Sequence, residues 1–252
     1  MGNLRAKGPP VKRTGAAAQA VDGITDYIKR HRLKPGDPLP TETKLCEELG
    51  FSRSSVREAV RILSSLDVVE VRHGHGTYVG AMSLSPLVAG MVLRITLDSK
   101  NSLARLRDVV ETRVALDLSM AEELVENFRD VDVEQLRELV CEMRAQFAAG
   151  KSFATEDRAF HSTLQSRISN VLIRELSDAF WQVHMDVLPL MEVSMPEDIE
   201  QTIEAHEALI DALSNKDVEQ YRRVVTRHYA PLLRAIASHV PSPDTPESPT
   251  AP

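Results

Sequence analysis

The stretch Leu49-Gly-Phe-Ser-Arg-Ser-Ser-Val-Arg-Glu-Ala-Val60 joins two segments of helical period through a tight turn. Thr41 is placed to cap a short helix that ends at Leu49, and Gly50 is well placed to terminate it in the left-handed conformation. Ser52 then precedes a second helix. The sequence therefore predicts a helix-turn-helix in this part of the chain.

The second of these helices is amphipathic, with one apolar face and one basic face. The apolar face is formed by Val56, Ala59, Val60 and Leu63. The opposite face carries Arg53, Arg57 and Arg61. A basic helix of this kind is narrow enough to enter the major groove of DNA, although three arginines can also be no more than a solvated face.

The segments on either side complete a small domain. Residues 17–32 have apolar side chains at helical spacing, and the proline-rich loop 34–40 must end that helix. After residue 67 the period becomes that of strands at 68–72 and 77–79, joined by the turn His73-Gly-His-Gly76. Three helices followed by a β-hairpin describe a winged helix-turn-helix.

The net charge of the chain, −7, is an average over two unlike parts. Residues 1–82 hold 13 Lys and Arg against 9 Asp and Glu, whereas residues 83–252 hold 17 against 28. The first part is therefore basic and the second strongly acidic. A nucleic-acid partner is compatible with the first part alone, because binding to a polyanion needs a positive face.

The basic part also offers specific groups to DNA. The start of the third helix presents backbone N–H groups and the hydroxyls of Ser52, Ser54 and Ser55 to phosphates. Arg53 and Arg57 can reach base edges or phosphates, and a turn with His73 and Gly74 can approach the neighbouring backbone or minor groove closely.

The motifs of residues 14–82 resemble the DNA-binding domain of the GntR family of bacterial transcription regulators. The resemblance rests on Pro-Gly-Asp-Pro-Leu-Pro40, the stretch 49–60 and Arg72-His-Gly-His-Gly-Thr-Tyr-Val79. It implies operator contacts by the residues already named: Ser52, Arg53, Ser54, Ser55, Arg57, His73 and Gly74. Many family members have Arg where this chain has Thr43, so a base contact there is either lost or moved to Lys44.

The remaining chain reads as helical throughout, since only 4% of all residues are aromatic and no convincing strand appears. Predicted helices lie at 84–97, 102–128, 133–149, 152–168, 171–193, 196–213 and 218–239. Plausible helix caps include Asp132, Ser152 and Asn170. The predicted architecture is mainly α, with a tail at 1–13, a winged helix-turn-helix at 14–82, a bundle of about seven helices at 83–240, and a disordered tail at 241–252.

Three histidines and one aspartate in the acidic part have the spacing of a metal site. Asp157 and His161 stand one helical turn apart, so their side chains can converge on one ion. His206 and His228 lie on two helices that a short connection folds antiparallel, which can bring them to similar depth in the bundle. By spacing alone, a mid-helix histidine is more often a hydrogen-bonded or exposed residue than a metal ligand.

These residues resemble the all-helical FCD effector domain of the FadR subfamily of GntR regulators, through Glu156-Asp-Arg-Ala-Phe-His161, Glu204-Ala-His206 and Arg227-His228. The resemblance implies that Asp157, His161, His206 and His228 bind one divalent ion, such as zinc, nickel or manganese, beneath a pocket for a small carboxylate. It also implies effector-binding roles for Arg107 and Asn170. Their alternatives are an ion pair of Arg107 with Glu111 and a helix cap at Asn170.

The combined expectation is a ligand-responsive transcription regulator, a repressor, that binds operator DNA as a homodimer and a small carboxylate as its effector. The alternative is a metal-dependent hydrolase or lyase that uses the same Asp157, His161, His206 and His228. Cys46 and Cys141 have no paired spacing, which fits a reducing compartment. Without a signal peptide or a long apolar run, the sequence predicts a cytoplasmic protein with no membrane partner.

Overall fold

The structure is a computed structural model that describes residues 15–98, 100–191 and 199–239. The chain divides into two compact units, Met1–Pro86 and Leu87–Pro252. The tails predicted at 1–13 and 241–252 lie outside the described residues, as do residues 192–198, where the sequence predicts the end of one helix and the start of the next.

The first unit is a winged helix-turn-helix, as the sequence predicts. Its elements in chain order are α1 (Ala16–His31), α2 (Glu42–Leu49), α3 (Arg53–Ser65), β1 (Val69–Arg72) and β2 (Gly76–Val79). Its core is aliphatic and is supplied by all three helices and both strands, with Ile24, Leu45, Val56, Val69 and Val79 almost fully buried.

Local hydrogen bonds set the turn between α2 and α3. The Thr41 hydroxyl accepts a hydrogen bond from Lys44 N–H at the start of α2. Gly50 ends α2 with φ of 73°, a left-handed conformation that favours glycine. The Ser52 hydroxyl accepts from Ser55 N–H and starts α3 at once. Both caps are therefore those that the sequence predicts.

The wing is a two-stranded antiparallel hairpin in which Val69 pairs with Val79 and Arg72 pairs with Gly76. The residue after β2, Gly80, is required by a close approach of two backbone segments. A Cβ atom at this position would lie 2.3 Å from the carbonyl oxygen of Asp67. The hairpin is thus held tightly against the end of α3.

The second unit is entirely helical in the part that the structure describes. Its elements are α4 (Ser85–Leu97), α5 (Ser102–Ser119), α6 (Ala121–Asn127), α7 (Asp130–Ala148), α8 (Ala154–Gln165), α9 (Val171–Val187), a short 3₁₀ helix (Leu188–Met191), α10 (Glu200–Ser214) and α11 (Val218–His239). None of the described helices is long and apolar enough to span a membrane.

Some predicted helix boundaries are wrong. The helix predicted at 102–128 is two helices that meet at the buried Met120, and Ala121, Leu124 and Val125 of the second are buried as well. Asp132 is not a cap residue but the third residue of α7, where its carboxylate accepts the backbone N–H of Arg129. Tertiary packing, which local sequence signals do not report, sets these boundaries.

The packing of the bundle brings three helices around one central point. α10 lies against both α7 and α11, while α5 lies against α9 and α11, and α8 lies against α7 and α9. Residues 215–217 join α10 to α11, and Lys216 adopts a left-handed φ of 56° in this connection. The inner faces of α8, α10 and α11 carry the four residues of the predicted metal site.

Candidate functional site

The structure brings together Asp157, His161, His206 and His228 in the interior of the second unit. Their possible ligand atoms, one from each residue, all lie within 4.8 Å of one another. α8 supplies Asp157 and His161 from successive turns, α10 supplies His206, and α11 supplies His228. The juxtaposition of all four side chains is therefore an observed feature of the fold.

Asp157 is the centre of this cluster. Its Oδ1 lies 3.2 Å from Nε2 of His206 and 3.7 Å from Nε2 of His161. The ring of His228 lies with its centroid 4.5 Å from that of His206 and 5.1 Å from that of His161. Three imidazoles thus surround one carboxylate oxygen.

The histidines are buried, and several of their nitrogens are unsatisfied. His206 has no exposed surface, and His161 and His228 are each 6% exposed. Nε2 of His161, both ring nitrogens of His206 and Nδ1 of His228 have no hydrogen-bond partner among the described residues. Buried polar atoms of this kind are costly, and a cation that accepts their lone pairs removes the cost.

The electrostatics of the cluster favour the protonation states that a cation needs. Burial would raise the pKa of Asp157, but the polar contact with His206 and the nearby His161 and His228 hold it well below its usual range. Burial lowers the pKa of His161, and burial and the neighbouring imidazoles lower that of His228. An ionised Asp157 carboxylate and neutral rings of His161 and His228 are therefore expected at neutral pH. This donor set fits zinc, nickel or manganese.

A residue outside the predicted set orients the carboxylate. Nε1 of Trp181, on α9, donates a hydrogen bond of 2.9 Å to Oδ2 of Asp157. This bond leaves Oδ1 facing the histidines. Metal-ligating carboxylates commonly have such a partner, which fixes their orientation.

A cavity of about 130 Å³ adjoins the cluster and is lined in part by Asp157 and His228. Arg113, on α5, lines it too, although it is only 4% exposed. Its Nη1 donates a 3.0 Å hydrogen bond to Nδ1 of His184, and its guanidinium lies over the ring of Tyr229. Burial, followed by the charge of Arg113, lowers the pKa of His184 to about 3, so this imidazole is neutral.

The two residues predicted to bind the effector lie elsewhere. Arg107 is exposed on α5, and its Nε donates a 2.7 Å hydrogen bond to Glu111, away from the cavity lining. Asn170 is also exposed, and its side chain caps α9 by accepting from Ile173 N–H. In both cases the structure has the alternative contact that the sequence left open.

Arg113 lines the cavity although the sequence did not single it out, and a signal for it was present. The buried residues of α5 are Leu106, Val109, Val110, Arg113 and Asp117. They repeat at helical spacing, so the periodicity places Arg113 on the inner face of α5 and Arg107 outside it.

The residues predicted to contact DNA are exposed or half-buried in the first unit. Arg53, Ser54 and Arg57 lie on the exposed surface of α3, and the Ser52 hydroxyl is shared between Ser54 and Ser55 at 2.9 Å each. On α2, Thr43 is exposed and Lys44 lies 3.6 Å from Glu48.

Two further observations bear on this surface. Arg57 Nε lies 3.6 Å from the Glu42 carboxylate, so the start of α2 adjoins this face of α3. His73 and Gly74 form the exposed tip of the wing, where Gly74 has φ of 77°. The ion pairs of Arg57 and Lys44 join exposed side chains, and surface pairs of this kind contribute little to stability.

Comparisons with known proteins match both units. Residues 16–79 match the family described as bacterial regulatory proteins, gntR family, and residues 108–231 match the FCD domain. The galactonate operon transcriptional repressor of Escherichia coli is 26% identical over 75% of this chain and 83% of its own length. The putative transcriptional regulatory protein NedR of Micromonospora viridifaciens is 38% identical over 42% of this chain and 77% of its own length.

A solved structure, Streptococcus agalactiae GntR, is similar with a TM-score of 0.62 and 26% identity, covering 87% of this chain and 99% of that chain. The matched families and relatives are transcription regulators and not enzymes, so the hydrolase or lyase alternative is not favoured. With its winged helix-turn-helix and its FCD domain, the chain belongs to the GntR family of bacterial transcription regulators.

Proposed function

We propose that this regulator is a repressor whose FCD domain binds a divalent metal ion and a small carboxylate effector, and that the effector changes its affinity for operator DNA. The observation that carries the proposal is the buried Arg113 beside the cluster of Asp157, His161, His206 and His228. The DNA-binding function itself is that of the family.

A buried guanidinium needs an anion. Arg113 is 4% exposed, yet no carboxylate lies within ion-pairing distance of it among the described residues. Its Nε and the Nε2 of His184 are both buried without a hydrogen-bond partner among those residues. An effector carboxylate in the adjoining cavity would satisfy these donors and neutralise the charge.

The metal is assigned to Asp157, His161, His206 and His228 because their buried nitrogens have no other partner. When bound, a divalent ion supplies a Lewis-acidic centre with open coordination positions for an oxygen ligand. Trp181 holds the Asp157 carboxylate in its orientation. The chain's own groups that hold the effector are then Arg113 and His184.

Operator binding is assigned to α3 and the wing. Arg53 and Arg57 read bases or phosphates in the major groove, Ser52, Ser54 and Ser55 hold phosphates, and the wing tip contacts the adjacent backbone. Thr43 and Lys44 lie on α2, where they can add contacts to the DNA backbone. One winged domain has little contact area, so we expect a homodimer on a two-fold operator.

The name of one relative supports both repression as the mode of regulation and a carboxylate as the effector. The galactonate operon transcriptional repressor is named for a carboxylate and for repression. Repression relieved by a carboxylate is the behaviour that we assign to this chain.

The test uses the full chain and a DNA duplex selected from a random pool by the zinc-loaded protein. Fluorescence anisotropy then measures how a panel of small carboxylates, with their neutral amides as controls, changes the Kd for that duplex. We expect at least one acid to weaken binding and its amide to have no effect.

Arg113→Gln and Arg107→Gln form a matched pair on α5 for this test. We expect Arg113→Gln to bind the duplex but to lose the response to the acid, and Arg107→Gln to respond like the unmodified protein. A response that survives Arg113→Gln and disappears in Arg107→Gln would contradict the assignment.

A further inference from the structure

The cavity beside the metal cluster is small. Its volume is about 130 Å³. A protein cavity of roughly 150 Å³ holds one benzene molecule, so this one has room for on the order of six to eight non-hydrogen atoms. A sugar acid such as galactonate is nearly twice that size.

The chemistry of the lining limits the ligand further. Besides the metal ligands Asp157 and His228, the charged or imidazole side chains of the lining are Arg113 and His184, which touch each other. Much of the remaining lining is apolar and is formed by Phe153, Met185, Leu188, Ile199 and Leu232. These side chains come from α11, the 3₁₀ helix, the end of α9 and the residues just before α8 and α10.

Few groups of the cavity lining can form hydrogen bonds with hydroxyls of a ligand. Ser152, Thr202 and Tyr229 bring the hydroxyls of the described lining. The Ser152 hydroxyl already accepts the backbone N–H of Ala154, and the Tyr229 hydroxyl donates to the Asp117 carboxylate. A polyhydroxylated acid would therefore bury several hydroxyls against aliphatic side chains. Each buried hydroxyl without a partner weakens binding, whereas a methyl group at the same place strengthens it.

We infer that the effector is a small monocarboxylate with a short, branched or linear apolar arm, and not a polyhydroxylated sugar acid. The inference rests on the proposed function, since it assumes that the carboxylate meets Arg113 and the metal. The apolar arm then lies against Leu232 and its apolar neighbours. Such an effector differs from galactonate, the sugar acid after which the operon of one relative is named.

The test is isothermal titration calorimetry on the zinc-loaded full chain with four probes: acetate, 3-methylbutanoate, 3-methylbutanamide and galactonate. We expect 3-methylbutanoate to bind more tightly than acetate by a factor on the order of tens, because each buried methyl or methylene group adds a favourable free energy of transfer from water. We expect no measurable binding of galactonate at millimolar concentration, and none of the neutral amide.

The outcomes separate this inference from the proposed function. If acetate and galactonate bind, and 3-methylbutanoate binds no more tightly than acetate, the apolar arm is wrong and the carboxylate site stands. If no acid binds the zinc-loaded chain, or if the amide binds as tightly as its acid, the proposed carboxylate site itself is overturned, and the inference with it.

A pair of variants at Leu232 tests the position of the arm. Leu232 is half-buried on α11, so a polar residue of similar size is tolerable there. We expect Leu232→Asn to weaken 3-methylbutanoate about tenfold without changing the affinity for acetate, and Leu232→Met to retain both affinities. An equal loss for both acids in Leu232→Asn would contradict the placement, and the probe series on the unmodified chain stands independently of how either variant folds.

Discussion

Trp181 donates its indole hydrogen bond, 2.9 Å long, to the Oδ2 atom of Asp157, while Oδ1 of the same carboxylate faces His206 and His161. The two oxygens thus have separate partners. The indole is 8% exposed, and the chain contains one Trp. The contact therefore both orients a proposed metal ligand and places an intrinsic fluorophore beside the site.

Removing this hydrogen bond should weaken the metal site. Trp181→Phe keeps an aromatic ring but leaves the Asp157 carboxylate free to rotate, and loss of such an outer partner typically reduces metal affinity about 10- to 100-fold. The measurement is zinc affinity by competition with a chromophoric chelator. A matched control is Phe180→Leu, at the neighbouring position of the same helix, which should leave zinc affinity unchanged.

Equal zinc affinity in Trp181→Phe and the unmodified protein would show that the bond has only a structural role. In the unmodified protein, zinc should also change the fluorescence of Trp181. Thermal unfolding of the metal-free proteins separates a loss of fold from a loss of orientation.

The histidine cluster predicts that the purified protein contains bound metal in a stoichiometric amount. His206→Ala combined with His228→Ala removes two of the four ligands, so we expect the purified variant to lose bound metal in elemental analysis. His239→Ala is a suitable control, because His239 is an exposed residue on the same helix as His228. Undiminished metal in the double variant would rule out the site.

Much of the fold could be predicted because local signals and packing agree in the first unit. Thr41, Gly50 and Ser52 are caps whose chemistry is local, and the helix-turn-helix follows from them. The juxtaposition of Asp157 and His161 likewise follows from one turn of helix. Placing His206 and His228 beside them needed the resemblance to a known domain.

The rest depends on contacts that sequence spacing does not report. The boundary between α5 and α6 at Met120 has neither Gly nor Pro to mark it, and the residues around it are buried. Trp181 meets Asp157 across two helices. Arg113 was missed although the periodicity of α5 marks it, because a charged residue on a buried stripe is uncommon and Arg107 offers a simpler exposed alternative.

Lys216, in the connection between α10 and α11, caps the C-terminal end of α6. Its ammonium donates to the carbonyl oxygens of Val125 and Phe128, each at 2.7 Å, so a cation meets the negative end of a helix. We expect Lys216→Met to lower the free energy of unfolding by about 1 kcal/mol. Urea denaturation measures the change, and Lys151→Met, an exposed position, should have little effect.

Variants of two arginines on α3 distinguish a specific contact with DNA from a general effect of positive charge. Arg57→Ala should weaken operator binding by about 1–3 kcal/mol without changing the fold, if Arg57 reaches a base edge. Arg61→Ala removes the same charge from the same helix, at a position where the guanidinium lies 3.5 Å from Glu58. Fluorescence anisotropy with the selected duplex measures the Kd of each variant. Equal losses of affinity in the two variants would mean that Arg57 contributes only its positive charge.

His184 gives the metal-free protein a specific dependence on pH. Its pKa is about 3 in the folded state, because burial and Arg113 disfavour the imidazolium, whereas an unfolded chain has a histidine pKa near 6.5. The stabilising contribution of the neutral ring is therefore fully present above pH 6.5 and is lost as the pH falls towards 3. The free energy of unfolding should fall by about 1.4 kcal/mol per pH unit below 6.5 from this residue alone.

The comparison that isolates this effect is His184→Gln, which keeps an acceptor for Arg113 but does not titrate. His161 and His228 titrate in both proteins, so their contributions cancel in the difference. With EDTA present, we expect the difference in the free energy of unfolding between the two proteins to be constant above pH 7 and to change with that slope between pH 6 and 4.5, as the unmodified protein loses its advantage. A difference that stays constant over the whole range would mean that His184 is solvated in the folded protein and titrates as it does in the unfolded chain, and Arg113 would then lack the neutral acceptor that helps to hold it in the cavity.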